Sequence, residues 1–167
     1  LNLLTVNNLT VRTAHQSGPI NILDNLNFKL ESGKSLGVVG ESGCGKSTLG
    51  NALLLLDQAT SGQILYKGID ITNLSKKEIK SLRKDIQIIF QDPFASLNPR
   101  LTVGEAIMEP MQVHNLYTSK EERKEETLNL LEKVGLTKAA FYKYPHQFSG
   151  GQRQRIGIAR TIALRPK

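Results

Sequence analysis

Two hydrophobic rhythms divide the chain. In the first half, apolar and polar positions alternate with period two. Leu3 to Val11 (LLTVNNLTV) and Asn27 to Leu30 carry this pattern and predict strands, the second followed by a turn at Glu31-Ser32-Gly33. Ser35 to Val39 (SLGVV) is a short apolar run that predicts a buried strand, and Leu49 to Leu56 predicts a helix. A further strand is expected between Gly62 and Gly68, and another, buried, over Asp85 to Phe90 (DIQIIF). Gln91 to Arg100 holds two prolines and reads as a loop. From Thr102 onward the spacing becomes helical. Ser75–Glu78, Thr102–Glu105 and Ser119–Glu122 each have the Ser/Thr-x-x-Glu form of a capping box. The helix after Ser119 opens with charged turns, then places Leu128, Leu131 and Val134 on one face and stops at Gly135. Tyr144-Pro145 breaks the chain, and a last helix is expected from about Ser149 to Leu164. The pattern therefore predicts an α/β chain, strand-rich first and helical afterwards, with 102–142 as an inserted helical piece.

The junction between the third strand and the first helix carries the strongest chemical signal. Gly40 to Thr48 reads GESGCGKST, which fits the phosphate-loop pattern G-x-x-x-x-G-K-S/T. A strand before it and a helix after it supply the required context. Gly40, Gly43 and Gly45 let the backbone curl so that its N–H groups, with those of Glu41, Ser42 and Cys44, face an anion. The helix opening at Lys46 adds the positive end of its dipole. Lys46 is expected to reach the β- and γ-phosphates and the Ser47 hydroxyl to ligate Mg²⁺, with Thr48 completing the motif.

Composition adds little and removes several options. With 167 residues, 39% hydrophobic and 22% charged, the chain has the make-up of one globular domain. No apolar run reaches the roughly 20 residues of a membrane span, and the N-terminus has no signal-peptide pattern. One cysteine, Cys44, excludes an internal disulfide and suits a reducing cytosol. The net charge is +7, with basic clusters at Lys76–Lys84 and Arg153–Lys167. No aromatics interleave with these cations to stack on bases, so nucleic acid is not expected as a partner.

A second anion site is expected near the far end. Phe148 to Gln152 reads FSGGQ. Ser149-x-x-Gln152 is a capping box, and a plain helix start would need no more than that. Two glycines inside the first turn each cost about 0.8–1 kcal/mol of helix stability relative to alanine. Close approach of backbone to another group accounts for them. One nucleotide seldom needs two such helix starts from one subunit.

With both motifs in place the chain resembles the ATP-binding subunits of ABC transporters. FSGGQ is similar to that family's LSGGQ signature, and Gln91 falls where its Q-loop glutamine does. FQDPFASLNPR (90–100) and YPHQFSGGQRQRIGIAR (144–160) resemble the oligopeptide and dipeptide importer branch, especially the second of its two ATPase subunits. Nickel and glutathione importers have similar subunits, so those cargoes stay open. The resemblance implies a P-loop NTPase (RecA-like) core with an N-terminal antiparallel β subdomain and an inserted helical subdomain. It divides one incomplete ATPase domain, 1–167, into a core with its β subdomain (1–100), a helical subdomain (101–148) and a signature helix (149–167). ATP and Mg²⁺ are the implied cofactors. Lys46 and Gln91 are the implied catalytic residues, with Gln91 also ligating Mg²⁺. Ser149, Gly150, Gly151 and Gln152 would bind the γ-phosphate held by a second ATPase subunit, whether identical or homologous. The loop after Gln91 would engage a membrane permease on the cytoplasmic face of the cell membrane, with a substrate-binding protein as an indirect partner.

Two departures from the family accompany this. The aromatic that stacks on adenine falls near Thr13, which cannot stack, and His15 is the nearest flat ring. The chain also stops at Arg165-Pro166-Lys167, where the family continues into a strand bearing an Asp for Mg²⁺ and a Glu that polarises water, then a switch His. The C-terminal part of the core is therefore expected to be missing, leaving a fragment without hydrolytic activity of its own. Two other classes remain: a non-transport ABC ATPase, and a non-catalytic binding module.

Overall fold

A computed structural model describes residues 2–15, 18–92 and 96–167. The chain forms two compact units, Leu1–Lys80 and Ser81–Lys167. Part of the expected proline loop, 93–95, lies outside the described residues.

The first unit is built on an antiparallel sheet in the order β2-β1-β3-β4. Strand β1 spans Asn2–Thr13, β2 Ile20–Glu31, β3 Ser61–Tyr66 and β4 Ile69–Asp70. The period-two pattern buries Val6, Leu9, Val11, Leu23, Ile64 and Tyr66. Strand β1 changes phase between Val6 and Leu9, where the register against β2 shifts and Asn8 takes φ +50°. That irregularity lets both Val6 and Leu9 face the core although they are three positions apart. Lys67 (φ +51°) and Gly68 (φ +81°) form the two-residue turn between β3 and β4, both with the positive φ that a tight hairpin requires. Helix α1, Lys46–Leu53, buries Leu49 and Ala52. It ends earlier than its apolar run, because Leu55 turns into the left-handed region (φ +55°) and Leu56 N–H donates to Asn51 O at 2.9 Å.

Two expected strands are absent. Residues 35–39 form no ladder, and Leu36, Val38 and Val39 are exposed, Val39 by 93%. Residues 85–90 likewise form no ladder, with Ile89 and Phe90 about half exposed. A buried parallel strand exists only through hydrogen bonds to its neighbours. Among the described residues, no strand pairs with either segment.

Helix α2, Lys76–Leu82, straddles the boundary, and its Ser75–Glu78 cap forms as expected. The second unit packs α3 (Val103–Val113), α4 (Lys120–Lys133) and α5 (Gly150–Ile162) with two 3₁₀ turns, Lys138–Tyr142 and Pro145–Gln147. Val103, Ile107, Met111, Leu131, Phe141 and Ile156 form the centre of its core. The Thr102–Glu105 and Ser119–Glu122 capping boxes are both complete. Helix α4 is rotated slightly from its expected orientation. Thr127, Leu130 and Leu131 are buried, whereas Leu128 and Val134 are only half-buried against the core. Thr127 is tolerated at this depth because its hydroxyl donates to Arg123 O at 2.8 Å. Gly135 terminates α4 with φ +74°, as predicted.

Candidate functional site: two helix starts

The phosphate loop curls as its glycines allow. Gly43 (φ +82°) and Gly45 (φ +97°) occupy the left-handed region. Gly45 has a second constraint, because a Cβ there would lie 3.0 Å from both Ile22 O and Leu23 Cδ2 of β2. The loop closes on itself, with Cys44 N–H donating to Glu41 O at 3.3 Å. The Lys46 ammonium donates to Gly40 O at 2.8 Å and to Glu41 O at 2.6 Å, and lies 3.7 Å from Cys44 Sγ. Two carbonyls from the loop's first turn thus hold the cation beside the amides it serves. Helix α1 has no side-chain cap and no acid in its first turn, so its leading N–H groups are not claimed by a side chain. Gly40 to Ser47 are exposed apart from half-buried Gly45, and Thr48 is half-buried.

The second unit carries the other helix start. Ser149 caps α5. Gln152 N–H donates to Ser149 Oγ at 3.3 Å, and Ser149 N–H donates to Gln152 Oε1 at 3.0 Å. Gly150 and Gly151 are exposed, and a Cβ on either would meet nothing within 4 Å. Packing inside the chain therefore does not explain these glycines. Phe148, in the leucine position of the motif, is buried in the core and anchors the approach to the helix. Arg153 fixes the preceding turn from below, its Nε donating to Pro145 O at 2.7 Å and its Nη2 to His146 O at 3.3 Å.

Gln91 is exposed at a bend after 85–90. A few residues further on, Arg160 Nη1 of α5 donates to Ser96 O at 2.5 Å. Burial lowers the Arg160 pKa, and Glu109 opposes that shift. The segment following Gln91 is thereby tied to the signature helix.

The structure gathers residues 40–48 into one loop and 149–152 into one helix start. Gln91 lies with the latter in the second unit. Thr13 ends β1 with its side chain exposed, and His15 is also exposed. Arg153 and Arg160 were not singled out from the sequence. Their spacing with Ile156, at i, i+3 and i+7, was the available signal: a cation repeating on the apolar face of a helix must find carbonyls. The stacked pair Tyr144 and His146 was also missed. Among the described residues, no group of three or more His, Cys, Asp or Glu is placed to hold a metal ion. Ser47 and Gln91 offer neutral oxygen donors, the type that suits Mg²⁺.

This loop and signature belong to a nucleotide-binding cassette, and comparison with known proteins agrees. The ABC transporter family model matches residues 23–167, and the chain belongs to that family. A dimeric bacterial ABC transporter cassette superposes with a TM-score of 0.87 at 32% identity, over 98% of this chain and 70% of that one. The same cassette in a post-hydrolysis state bound to ADP and Pi matches with equal values. The fold is therefore that of the ABC ATPase cassette.

Within the family the chain is similar to peptide-transport subunits. The oligopeptide transport ATP-binding protein AppF of Bacillus subtilis is 54% identical over 151 residues, 90% of this chain and 46% of that protein. OppF of the same organism is 45% identical over 166 residues, 99% of this chain and 54% of that protein. The di/tripeptide transport ATP-binding protein DppF of Pseudomonas aeruginosa is 47% identical over 148 residues, 89% of this chain and 46% of that protein. The chain spans about half the length of the curated relatives it matches.

Proposed function

We propose that this chain is the nucleotide-binding portion of an ATPase subunit that powers peptide uptake through an ABC importer. The observation carrying it is the pairing of two anion-ready helix starts, α1 with its built-in lysine and α5 with its uncovered glycines. The names of the similar relatives support the peptide cargo.

The chemistry is phosphoryl transfer to water. Lys46 and the loop amides hold the β- and γ-phosphates and stabilise charge as it develops. Mg²⁺, when bound, would neutralise phosphate charge; the Ser47 hydroxyl would be an oxygen donor to it beside the phosphate loop, and the resemblance gives Gln91 the same role. Ser149, Gly150, Gly151 and Gln152 address the γ-phosphate of a nucleotide held by a second ATPase subunit. The dimeric state of the similar cassette supports that arrangement. The segment after Gln91, fastened to α5 through Arg160, is the route to a membrane permease. Among the described residues no helix is long and apolar enough to cross a membrane, and we place the subunit at the cytoplasmic face through its permease.

Mixed dimers of the full-length subunit test the reading. Lys46→Ala is expected to weaken ATP binding at its own loop and to abolish ATP-dependent transport. Ser149→Arg is expected to leave its own ATP binding intact and to stop hydrolysis at the partner's loop. If Ser149→Arg silences only the nucleotide bound by the same subunit, the two-subunit site is wrong.

A further inference from the structure

We propose that the stacked Tyr144–His146 pair is the surface on which the base of the partner-held nucleotide rests. This deepens the reading that the start of α5 meets a nucleotide bound by a second subunit, and it rests on that reading.

The two rings lie 5.8 Å apart and only 13° from parallel. Both are exposed, Tyr144 by 42%, in a unit whose other large apolar groups mostly face the core. Their backbone is held firmly. Pro145 between them is buried, Arg153 holds the carbonyls of Pro145 and His146, and Tyr144 N–H donates to Gln147 Oε1 at 2.8 Å. With the backbone fixed and each ring stacked on the other, part of the ordering needed for stacking on a base is already present.

Position gives the pair its ligand. His146 precedes Ser149 by three residues, and three residues of chain reach at most about 10 Å. That is comparable with the span of ribose and triphosphate. A ligand with its γ-phosphate at Ser149 has its base in range of the rings. When the partner is a second copy of this chain, its Thr13 has no ring to offer and its nearest flat ring is the exposed His15. Every base has a π-face, and stacking on an aromatic is worth about 1–3 kcal/mol per base. A platform contributed across the interface makes base affinity depend on subunit pairing.

The test compares ATP with inorganic triphosphate in the full-length subunit. Tyr144→Ala with His146→Ala is expected to raise KM for ATP about tenfold and to leave inhibition by inorganic triphosphate unchanged. Tyr144→Phe with His146→Phe is expected to restore the ATP value, since phenyl rings stack without the polar atoms. Equal weakening toward ATP and inorganic triphosphate would mean that the pair only shapes the helix start, and the proposal falls. No change toward either also overturns it. Ser149→Arg separates the two levels of the argument. If it blocks ATP-driven pairing while the alanine variant keeps the wild-type KM, the base platform alone is wrong. If pairing survives Ser149→Arg, the two-subunit reading itself fails.

Discussion

Gly104 faces Phe141 so closely that replacing it should change sign with its neighbour. A Cβ on Gly104 would lie 2.5 Å from Phe141 Cδ2 and Cε2 and 2.6 Å from Cζ. Carbon atoms prefer about 3.5–4.0 Å, so the ring would have to retreat by roughly 1 Å. Phe141 is 7% exposed and packed in the core, with little room to do so. Overpacking of this kind costs about 1–3 kcal/mol. Against it stands the helix propensity of alanine, about 0.8–1 kcal/mol better than glycine inside α3. Gly104→Ala is therefore expected to destabilise by about 0–2 kcal/mol in the native background. With Phe141→Leu, the Cε2 and Cζ obstacles are gone and the remaining methyl groups can rotate aside. There the same Gly104→Ala should stabilise by up to about 1 kcal/mol. Urea midpoints of the four proteins of the cycle, followed by far-UV circular dichroism with constant m, measure the difference. An equal effect of Gly104→Ala in both backgrounds would refute the packing argument.

Three further outcomes follow from the same structure. Gly45→Ala should destabilise the phosphate loop by about 1–3 kcal/mol, from the left-handed backbone and the contact with Ile22 O, read as lowered thermal stability and weakened ATP binding. Glu105 is held below the ordinary carboxylate range by the Thr102 N–H and then its hydroxyl, Glu122 by the Thr118 N–H and hydroxyl, and Glu78 by the Ser75 hydroxyl and N–H. Lowered folded pKa values mean that these caps stabilise fully above the unfolded glutamate range and fade as pH falls through the folded values. Glu105→Gln with Glu122→Gln keeps both caps and should shrink that acid limb in pH-dependent unfolding to the share left by Glu78. Arg160→Met retains the aliphatic stem but loses the bond to Ser96 O, and should cost about 1.5–3 kcal/mol, with faster amide exchange over 96–101 as the signature. Unchanged exchange there would mean that the loop is held by other contacts.

What could be read from the sequence was local. The four expected Ser/Thr-x-x-Glu/Gln boxes, at Ser75, Thr102, Ser119 and Ser149, all form, because both partners lie within one turn of helix. The phosphate loop was legible for the same reason: its glycines, lysine and following helix are contiguous. Residues 35–39 and 85–90 have strand-like composition, yet strand identity depends on a neighbour that an apolar run cannot name. Strand β2 runs from Ile20, well before Asn27, because pairing with β1 recruits its polar first half. The Tyr144–His146 stack escaped notice since Pro145 between the rings read only as a helix breaker.

Arg160 grips the loop after Gln91 from a point well along α5, while Ser149 sits at the tip of that helix. Eleven residues at 1.5 Å each separate them by about 16 Å. Between the two, Arg153 holds the turn that precedes Ser149, and Phe148, Ile156 and Ala159 are buried in the core. Loop, helix and tip are therefore parts of one packed body with no joint between them. A displacement at Ser96 is passed along α5 to the glycine-lined tip rather than absorbed on the way.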